Sequence, residues 1–462
     1  MGFINREVEL SKLQDLWNEE SSQLVVVYGK RRVGKTELIK KFLTDVNGFY
    51  FLSDKRTTKE QLVEFSRVMG DHFNDKFVQE KGFSDWIEAF RYLKEKSNGK
   101  RIAVAIDEYP YLAETDSTTS SVFQKIWDEY LKDSKVYLIL CGSSMSMMES
   151  ELLAYKAPLY GRATGKLLIE PMDLEASMKF LPGKEFEKFL SFYCVTGGMP
   201  AYLQHFARFN SITKAVDNLC WDKQGLFHDE VNLTLKQELR TPNIYFSILK
   251  AIAFGKTRLN EISSSVGASV QLVNKYIDTL ERLDLVHREV PVTEDKPHKS
   301  RKGIYIISEN FVKFWFRYVY AFSSDLEIGL KKQAKGKFKE QFNAFKSYVY
   351  EQVARDDLRR IQDKLFPMER VGRYWDKKVE IDGVALNSEM KQIAFMEAKW
   401  SNSKMGLREL NQLIEKAGHV RWNKGDRNEY FVLYSKSGFR RKLLEKTSDD
   451  KKIVLIEKIG NK

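Results

Sequence analysis

The sequence predicts an α/β multidomain fold, and three observations support that prediction. With 462 residues, the chain is too long for one ordinary hydrophobic core. The run from Leu24 to Tyr28 is short, apolar and rich in β-branched residues, as in a buried central strand. A glycine-rich loop follows, and residues from Glu37 to Leu43 then have helical spacing. This order of strand, loop and helix predicts a parallel α/β core near the N-terminus.

The glycine-rich loop fits the phosphate-binding pattern G-x-x-x-x-G-K-[ST]. Its residues are Gly29, Lys30, Arg31, Arg32, Val33, Gly34, Lys35 and Thr36. Two glycines let backbone N–H groups and the helix N-terminus face a polyphosphate. Lys35 is expected to reach the β- and γ-phosphates and Thr36 to ligate Mg²⁺. We therefore predict binding of ATP and Mg²⁺ by a P-loop NTPase core; an incidental glycine-rich turn is the alternative.

Two further strands are predicted to end near this loop. One apolar strand leads into Asp107 and Glu108, which is the Walker B arrangement. Asp107 is expected to join the Mg²⁺ shell, and Glu108 to polarise the attacking water. The next apolar strand ends before Ser143 and Ser144, where P-loop ATPases carry a polar sensor of the γ-phosphate. A serine N-cap for the following helix is the alternative.

Three other features flank the predicted core. Arg162 follows a loop, and its planar guanidinium suits phosphate contacts; a surface arginine is the alternative. The helix that starts near Phe3 either covers the adenine or packs on the sheet. From Leu174 to Glu238 the spacing is helical, except at a turn of two glycines and a proline that opens a helix.

Residues 239–310 predict three short helices followed by a hairpin, the order of a winged helix-turn-helix. Gln271, Asn274 and Lys275 lie where a recognition helix meets bases or phosphates. The alternative is a spacer or protein-docking unit. Residues 311–335 are dense in aromatics; a buried linker helix is the main interpretation, and base stacking is the other.

Together the motifs resemble archaeal-type ATPases of the STAND branch of the AAA-like P-loop class. The resemblance covers residues 1–235 and depends on motifs in a specific order: Phe3–Glu9, Gly29–Thr36, Asp107–Leu112, Cys141–Ser144, Tyr160–Arg162 and Gly197–Pro200. It implies a helical lid in which Gly198 and Pro200 belong to a nucleotide-sensing element. It also implies an ATP-gated switch rather than a fast motor.

Residues 336–462 predict the element order α-β-β-β-α-β, and this segment resembles the restriction-endonuclease-like, PD-(D/E)XK nuclease fold. The resemblance implies that Asp382 and Glu397 hold Mg²⁺ while Lys399 orients the water, and that Glu351 adds a carboxylate. No proline precedes Asp382, at a position that varies in the superfamily. A structural ion pair of Lys399 with one of the two strand carboxylates is the alternative. Such domains either cleave DNA or only bind it.

The net charge of +12 lies in the last segment. Residues 331–462 contain 31 Lys and Arg against 19 Asp and Glu, and the first 330 residues are balanced. This imbalance favours DNA as a partner; a solvated basic surface is the alternative. Three widely spaced cysteines support neither a disulfide framework nor a zinc site. A cytoplasmic protein without membrane segments is expected.

The predicted domains are a P-loop ATPase core at 1–170, a helical lid at 171–238, a winged helix at 239–310, a linker helix at 311–335 and a nuclease-like domain at 336–462. The leading hypothesis is a STAND-type ATPase that controls a DNA-binding, metal-dependent nuclease domain. The alternatives are an ATP-gated DNA-binding regulator with an inactive nuclease fold, and a scaffold that switches a homo-oligomer or another protein assembly.

Overall fold

The computed structural model describes residues 3–97, 99–239 and 241–459. Contacts between Cα atoms group these residues into two compact units. The first unit contains the described residues up to 180 together with 198–205 and 237–239. The second contains 181–197, 206–236 and 241–459.

The first unit is built on a five-stranded parallel sheet. Its strands are β1 (Gln23–Tyr28), β2 (Gly48–Leu52), β3 (Ile102–Asp107), β4 (Val136–Gly142) and β5 (Gly165–Leu168). They pair in the order β2-β3-β4-β1-β5. Because all five run parallel, the carboxyl ends of β1, β3 and β4 meet at one edge, where the predicted motifs follow them.

The helices of this part of the chain connect and cover the strands. They are α1 (Glu7–Asn18), α2 (Lys35–Thr44), α3 (Thr58–Phe73), α4 (Lys76–Lys81), α5 (Trp86–Ser97), α6 (Tyr109–Thr115), α7 (Thr119–Ile126), α8 (Met145–Met148) and α9 (Leu174–Met178). An aromatic cluster joins β2 to α3, α5 and α7, with Phe65 in contact with Phe51, Trp86 and Phe90. Burial of these rings stabilises the sheet through the hydrophobic effect.

The segment from Phe186 to Glu238 is helical, as its spacing predicts. Its helices are α10 (Phe186–Thr196), α11 (Pro200–Phe206), α12 (Ile212–Leu219) and α13 (Glu230–Glu238). Ser211 caps α12 by accepting the N–H of Lys214. Pro200 occupies the first position of α11, where its missing N–H removes no helical hydrogen bond.

Three helices and an antiparallel hairpin follow in the order that the sequence predicts. They are α14 (Pro242–Ala253), α15 (Leu259–Val266), α16 (Val270–Arg282), β6 (Val286–Glu289) and β7 (Ile304–Ile307). Their assignment as a winged helix-turn-helix stays a prediction. The aromatic stretch after them forms α17 (Asn310–Tyr318). Its Phe311, Phe314 and Phe316 are fully buried, so these rings serve packing and are not available for base stacking.

The last part of the chain contains a mixed five-stranded sheet. Before it come α18 (Ser323–Glu327) and the long α19 (Lys332–Arg360). The sheet and its helices are β8 (Arg370–Trp375), β9 (Glu380–Asn387), β10 (Gln392–Lys399), α20 (Leu407–His419), β11 (Asn428–Ser435), α21 (Arg441–Thr447) and β12 (Ile453–Ile456). The strand order is β12-β11-β10-β9-β8, antiparallel from β8 to β10 and parallel from β10 to β12. The predicted α-β-β-β-α-β order is present, and α21 and β12 extend it.

In the described parts of the chain, no helix combines the length and the apolar character that a bilayer-spanning segment requires.

Candidate functional site

The loop between β1 and α2 has a backbone that only its two glycines allow. Gly29 has a φ of +154°, and a Cβ added there would lie 2.4 Å from the carbonyl oxygen of Ile169. Gly34 has a φ of +95° immediately before α2 begins at Lys35. A side chain at the first position would collide with backbone, and at the second it would be strained. The chain therefore forms the P-loop that the motif predicts.

Lys35 is the buried cation of this loop. Its side chain is only 6% exposed, and Nζ donates to the carbonyl oxygens of Gly29 and Lys30, both at 2.9 Å. Burial lowers the pKa of Lys35, and the nearby acidic groups Cys141, Glu108, Asp107 and Glu238 oppose that shift. The ammonium group thus lies inside the loop, where a polyphosphate would meet it.

Asp107 joins the P-loop to two strands. Its Oδ2 accepts hydrogen bonds from Thr36 Oγ1 at 2.6 Å and from the Tyr50 hydroxyl at 2.8 Å, and Oδ1 accepts the N–H of Glu108 at 2.9 Å. The Thr36 hydroxyl and the Asp107 carboxylate supply the hard oxygen donors that Mg²⁺ prefers. This pair therefore fits the predicted Mg²⁺ role. Burial and the Asp107 carboxylate raise the pKa of Tyr50, which keeps the phenol protonated as a donor.

Glu108 lies directly after β3 in a strained conformation. Its φ of +55° is in the left-handed region, which is uncommon for a residue with a side chain and concentrates at functional sites. The carboxylate accepts Ser143 Oγ at 2.8 and 2.9 Å, while the Ser53 hydroxyl donates to the backbone oxygens of Asp107 and Glu108. The structure therefore places Ser143 against Glu108, at the carboxyl ends of β4 and β3.

Ser144 has a partner that the sequence did not indicate. Its hydroxyl donates to Glu238 Oε2 at 3.3 Å. Burial raises the pKa of Glu238 to about 7. No motif marks Glu238, because it follows the P-loop by some 200 positions of sequence and reaches the site only through the fold. Ser143 and Ser144 thus have different carboxylate partners.

A cavity of about 450 Å³ lies beside these groups. Its polar lining residues include Arg31, Arg32, Gly34, Lys35, Thr36, Glu108 and Ser143. Its apolar lining residues include Phe3, Ile4, Val33, Met172, Phe180 and Pro200. A ligand that combines a phosphate chain with a planar base would match this mixed lining. Phe3 and Ile4 of the N-terminal arm thus line the cavity, and the interpretation that the arm covers an adenine stays a prediction.

Arg6 fixes this arm to the P-loop. Its guanidinium is 5% exposed and donates to the carbonyl oxygens of Val33 at 3.0 Å and Glu170 at 2.6 Å. It also pairs with Glu9 at 2.7 Å. These contacts hold Phe3 and Ile4 near the loop. No motif marks Arg6, because its role depends on carbonyl groups that it reaches only in the fold.

The two residues of the predicted sensing element, Gly198 and Pro200, have different surroundings. Pro200 lines the cavity, and Gly198 is not among its lining residues. A Cβ on Gly198 would lie 1.8 Å from the Met172 carbonyl oxygen, and the Met172 N–H donates to Gly198 O at 2.7 Å. Gly198 therefore permits a close backbone contact with Met172, which does line the cavity.

The structure does not bring Arg162 to the site. Its Nη2 pairs with Asp128 Oδ2 at 2.7 Å, and Nη1 donates to the Pro158 carbonyl oxygen at 3.0 Å. Arg162 is absent from the residues that line the cavity. The structure thus shows Arg162 in an ion pair, in line with the alternative that the sequence left open, and a phosphate contact by Arg162 stays a prediction.

The predicted cluster of the C-terminal sheet forms where β9 and β10 separate. Their pairing ends at Gly383 and Met396, and Asp382 Oδ2 then accepts the Ala398 N–H at 3.0 Å. Burial raises the pKa of Asp382, and the Glu397 charge raises it further. On α19, burial and the Asp382 charge raise the pKa of Glu351 to about 7. The fold thus brings the predicted carboxylates into one electrostatic cluster.

Two lysines form ion pairs with Glu397, the central carboxylate of that cluster. Glu397 is 6% exposed, and its two oxygens contact Lys399 Nζ at 2.5 Å and Lys416 Nζ at 2.9 Å. Over residues 3–97, 99–239 and 241–459, no group of three or more His, Cys, Asp or Glu side chains is arranged to hold a metal ion. A metal role for Asp382, Glu397 and Glu351 stays a prediction, and the observed contact of Glu397 with Lys399 is the ion pair that the sequence offered as the alternative. Sequence reasoning missed Lys416, which α20 supplies without any motif.

Comparison with known proteins supports the ATPase assignment. Residues 3–206 match a family described as an ATPase domain predominantly from Archaea. Residues 315–411 match a family of archaeal and bacterial proteins of unknown function. The prediction of an ATP-binding, archaeal-type ATPase is confirmed at this level, while the second match names no activity.

Individual relatives and a solved structure extend this result. The chain is 32% identical over 407 residues to the uncharacterized protein MJECL04 of Methanocaldococcus jannaschii, covering 87% of this chain and 88% of that protein. It is 26% identical over 294 residues to the uncharacterized ATP-binding protein MJ0147 of the same organism, covering 52% and 74%. The Walker-type ATPase PABY2304 of Pyrococcus abyssi shares the fold, with a TM-score of 0.53 and 23% identity over 68% of this chain and 96% of that one. The chain therefore belongs to the same family as MJECL04, and its N-terminal part is an archaeal-type P-loop ATPase domain.

Proposed function

We propose that the protein is a STAND-type switch that binds and hydrolyses ATP with Mg²⁺ in the cavity between the P-loop and the N-terminal arm. The observation that carries this proposal is the convergence of Lys35, Thr36 and Glu108 on one cavity. These residues come from α2 and from the end of β3, and each has the side chain that one part of phosphoryl transfer requires.

Each residue has a separate task in this proposal. The P-loop N–H groups and Lys35 bind the β- and γ-phosphates. Thr36 and Asp107 would hold Mg²⁺, which neutralises phosphate charge when bound. Glu108 orients the attacking water and accepts its proton. The hydrogen bond from Tyr50 keeps the Asp107 carboxylate directed toward Thr36.

The contact between Ser143 and Glu108 supports a switch rather than a fast motor. Ser143 Oγ lies within 2.9 Å of both carboxylate oxygens of Glu108. A base with this partner must rearrange before it can accept a proton from water. Hydrolysis would then depend on a movement of the β4 end relative to the β3 end, which slows turnover and lets the bound nucleotide define a state.

The proposal is tested by measuring ATP binding and hydrolysis for the parent protein and two variants. Lys35→Ala should lose most ATP affinity, because it removes the buried phosphate-binding cation. Glu108→Gln should retain ATP while hydrolysis falls by about 100-fold or more, because general-base catalysis is lost. Lys41→Ala is the matched control, since Lys41 lies on the same helix and pairs with Asp45 at 3.2 Å. Unchanged hydrolysis in both site variants would place the activity elsewhere.

For the C-terminal sheet we propose a nuclease-like fold that binds DNA as a regulator. The observation that favours binding over cleavage is the double lysine contact of Glu397. Glu397 cancels only one of the two lysine charges, so this group of three residues keeps a net positive charge, and the excess of Lys and Arg after residue 330 suits an anionic partner. The winged helix is proposed as a second DNA contact through Gln271, Asn274 and Lys275.

Incubating the protein with supercoiled DNA and Mg²⁺ or Mn²⁺ distinguishes DNA cleavage from DNA binding without cleavage and from no DNA binding. We expect the parent protein to bind the DNA and leave it intact, with and without ATP. Nicking that disappears in Asp382→Ala would instead establish the nuclease hypothesis. An absence of DNA binding at low salt would favour the scaffold hypothesis, in which ATP controls a homo-oligomer or another protein assembly.

A further inference from the structure

Ser53, which directly follows β2, is a buried residue of the first unit with no task in the proposed reaction. Its side chain is 2% exposed, and its hydroxyl oxygen lies 2.8 Å from the carbonyl oxygen of Asp107 and 2.5 Å from that of Glu108. The Asp107 carbonyl oxygen already accepts the Ser53 N–H at 3.0 Å, which continues the pairing of β2 with β3. Because a hydroxyl donates one proton, we assign that proton to the shorter contact, the carbonyl oxygen of Glu108.

The backbone of Glu108 requires support from its surroundings. Its φ of +55° and ψ of +40° lie in the left-handed region, where a residue with a Cβ remains only if neighbouring groups hold it there. Its N–H donates to Asp107 Oδ1 at 2.9 Å, and its carbonyl oxygen accepts the Tyr111 N–H at 2.9 Å in the first turn of α6. Both partners belong to the same stretch of chain as Glu108. Ser53 adds a contact from a different strand, β2, and so fixes the Glu108 peptide group relative to the sheet.

The backbone conformation of Glu108 determines where its carboxylate lies. In the observed conformation the carboxylate accepts Ser143 Oγ at 2.8 and 2.9 Å, and Glu108 lines the cavity together with Lys35 and Thr36. Because the direction of the Cα–Cβ bond depends on φ and ψ, a change of Glu108 to the right-handed region would turn its side chain away from this position. A catalytic group that is misplaced by about 1 Å can lose about 100-fold in rate.

We propose that Ser53 is a positioning residue for the general base: its hydroxyl holds the backbone of Glu108 in the left-handed conformation and thereby directs the carboxylate toward the attacking water. This inference rests on the proposed function, in which Glu108 accepts a proton from that water. Ser53 is not among the residues that line the cavity, so its effect reaches the reaction through Glu108 and not through a contact with ATP. Removal of the hydroxyl should therefore slow hydrolysis and leave ATP affinity unchanged.

The experiment measures kcat for ATP hydrolysis and the dissociation constant of ATP, with Mg²⁺, for the full-length parent, Ser53→Ala, Glu108→Gln and the double variant. We expect kcat to fall about tenfold or more in Ser53→Ala, while the dissociation constant stays within about twofold. In the Glu108→Gln background, Ser53→Ala should cause no further loss of kcat, because the base that Ser53 positions is already absent. Ser97→Ala is the matched control and should keep both parental values: Ser97 is 5% exposed at the end of α5, and its hydroxyl donates to the Lys94 carbonyl oxygen at 2.7 Å.

The combination of these readouts separates positioning of Glu108 from a general structural role. Unchanged kcat in Ser53→Ala, or a further loss of kcat in the double variant equal to the loss in the parent background, would overturn this inference alone. Lost ATP binding or a raised Mg²⁺ requirement in Ser53→Ala would also overturn it, because Ser53 would then support the P-loop or Asp107. A parent protein that does not hydrolyse ATP, or Glu108→Gln with the parental kcat, would overturn the proposed function and this inference together.

Discussion

Single residues at the nucleotide site act through neighbours that the P-loop pattern does not specify. Tyr50 is an example: it lies on β2, and its hydroxyl reaches Asp107 because β2 pairs with β3 in register. The adjacency of β2 and β3 is a property of the sheet order, which no motif reports. Glu238 and Arg6 are similar cases, since each contacts the site across a large sequence separation. Motif residues were therefore predictable, whereas their supporting partners were not.

Arg162→Ala tests whether Arg162 takes part in the reaction. Because the Arg162 guanidinium pairs with Asp128 and does not line the cavity, we expect ATP affinity and hydrolysis to stay within about twofold of the parent values. Steady-state hydrolysis and equilibrium binding measure this directly. A loss of hydrolysis comparable to that of Glu108→Gln would mean that Arg162 takes part in ATP hydrolysis.

The buried Lys313 leads us to predict how the free energy of unfolding depends on pH. It is 6% exposed on α17, and burial lowers its pKa from 10.5 to about 7, with Glu289 favouring the charged form and Arg317, Arg355 and Arg373 opposing it. Between pH 7 and 10.5 the unfolded chain binds a proton that the folded chain does not. The free energy of unfolding should therefore rise with pH over this window.

Lys313→Met should remove that dependence. We expect the variant to be more stable than the parent by about 2 kcal/mol near pH 7, where burial of the charge is costly, with the difference shrinking toward pH 10. Denaturant unfolding at both pH values measures it, and Lys332→Met, an exposed change on α19, is the control. A stability difference that does not change with pH would contradict the assigned cause.

At the scale of secondary-structure elements, close backbone contacts decide where α11 begins. Gly198→Ala would place its Cβ 1.8 Å from the Met172 carbonyl oxygen, so the turn before α11 must shift. We expect a loss of about 2 kcal/mol or more in stability, together with weaker ATP binding, because Met172 and Pro200 line the cavity.

Gly418→Ala is the matched control for that variant. Gly418 lies within α20, and a Cβ there meets no heavy atom within 4 Å. Replacing an unhindered helical glycine by alanine stabilises a protein by about 0.5–1 kcal/mol. Thermal unfolding and ATP binding of both variants provide the comparison. A neutral effect of Gly198→Ala would mean that the turn tolerates a side chain.

The elements of the C-terminal sheet show the limits of pattern reasoning. The spacing of Glu397 and Lys399 placed them together on β10, and the structure pairs them directly. Their contact with Lys416 depends on how α20 lies against the sheet, which periodicity does not define. The number of lysines that surround Glu397 is therefore a tertiary property, which the strand pattern does not report. The extra α21 and β12 also escaped prediction, since Ile453–Ile456 is a short strand with half-buried side chains.

At the scale of the whole molecule, the distribution of net charge predicts which part of the chain binds duplex DNA. Because the excess of positive charge lies after residue 330, neutralising lysines there should weaken binding of duplex DNA and reduce its salt dependence. The triple variant Lys442→Gln, Lys446→Gln and Lys451→Gln tests this in the full chain; all three side chains are exposed. The control neutralises the exposed Lys59, Lys94 and Lys100 of the ATPase unit. Equal weakening in both variants would mean that the last segment is not the DNA surface.

The central claim is that ATP binds between the P-loop and the N-terminal arm. A crystal structure of the full-length protein with a non-hydrolysable ATP analogue and Mg²⁺ tests it most directly. We expect the phosphates along Gly29–Thr36, with Lys35 Nζ on the terminal phosphates in place of the Gly29 and Lys30 carbonyl oxygens, and Mg²⁺ on Thr36 Oγ1. An analogue bound outside this cavity, or Lys35 still bonded to the two loop carbonyls, would contradict the claim.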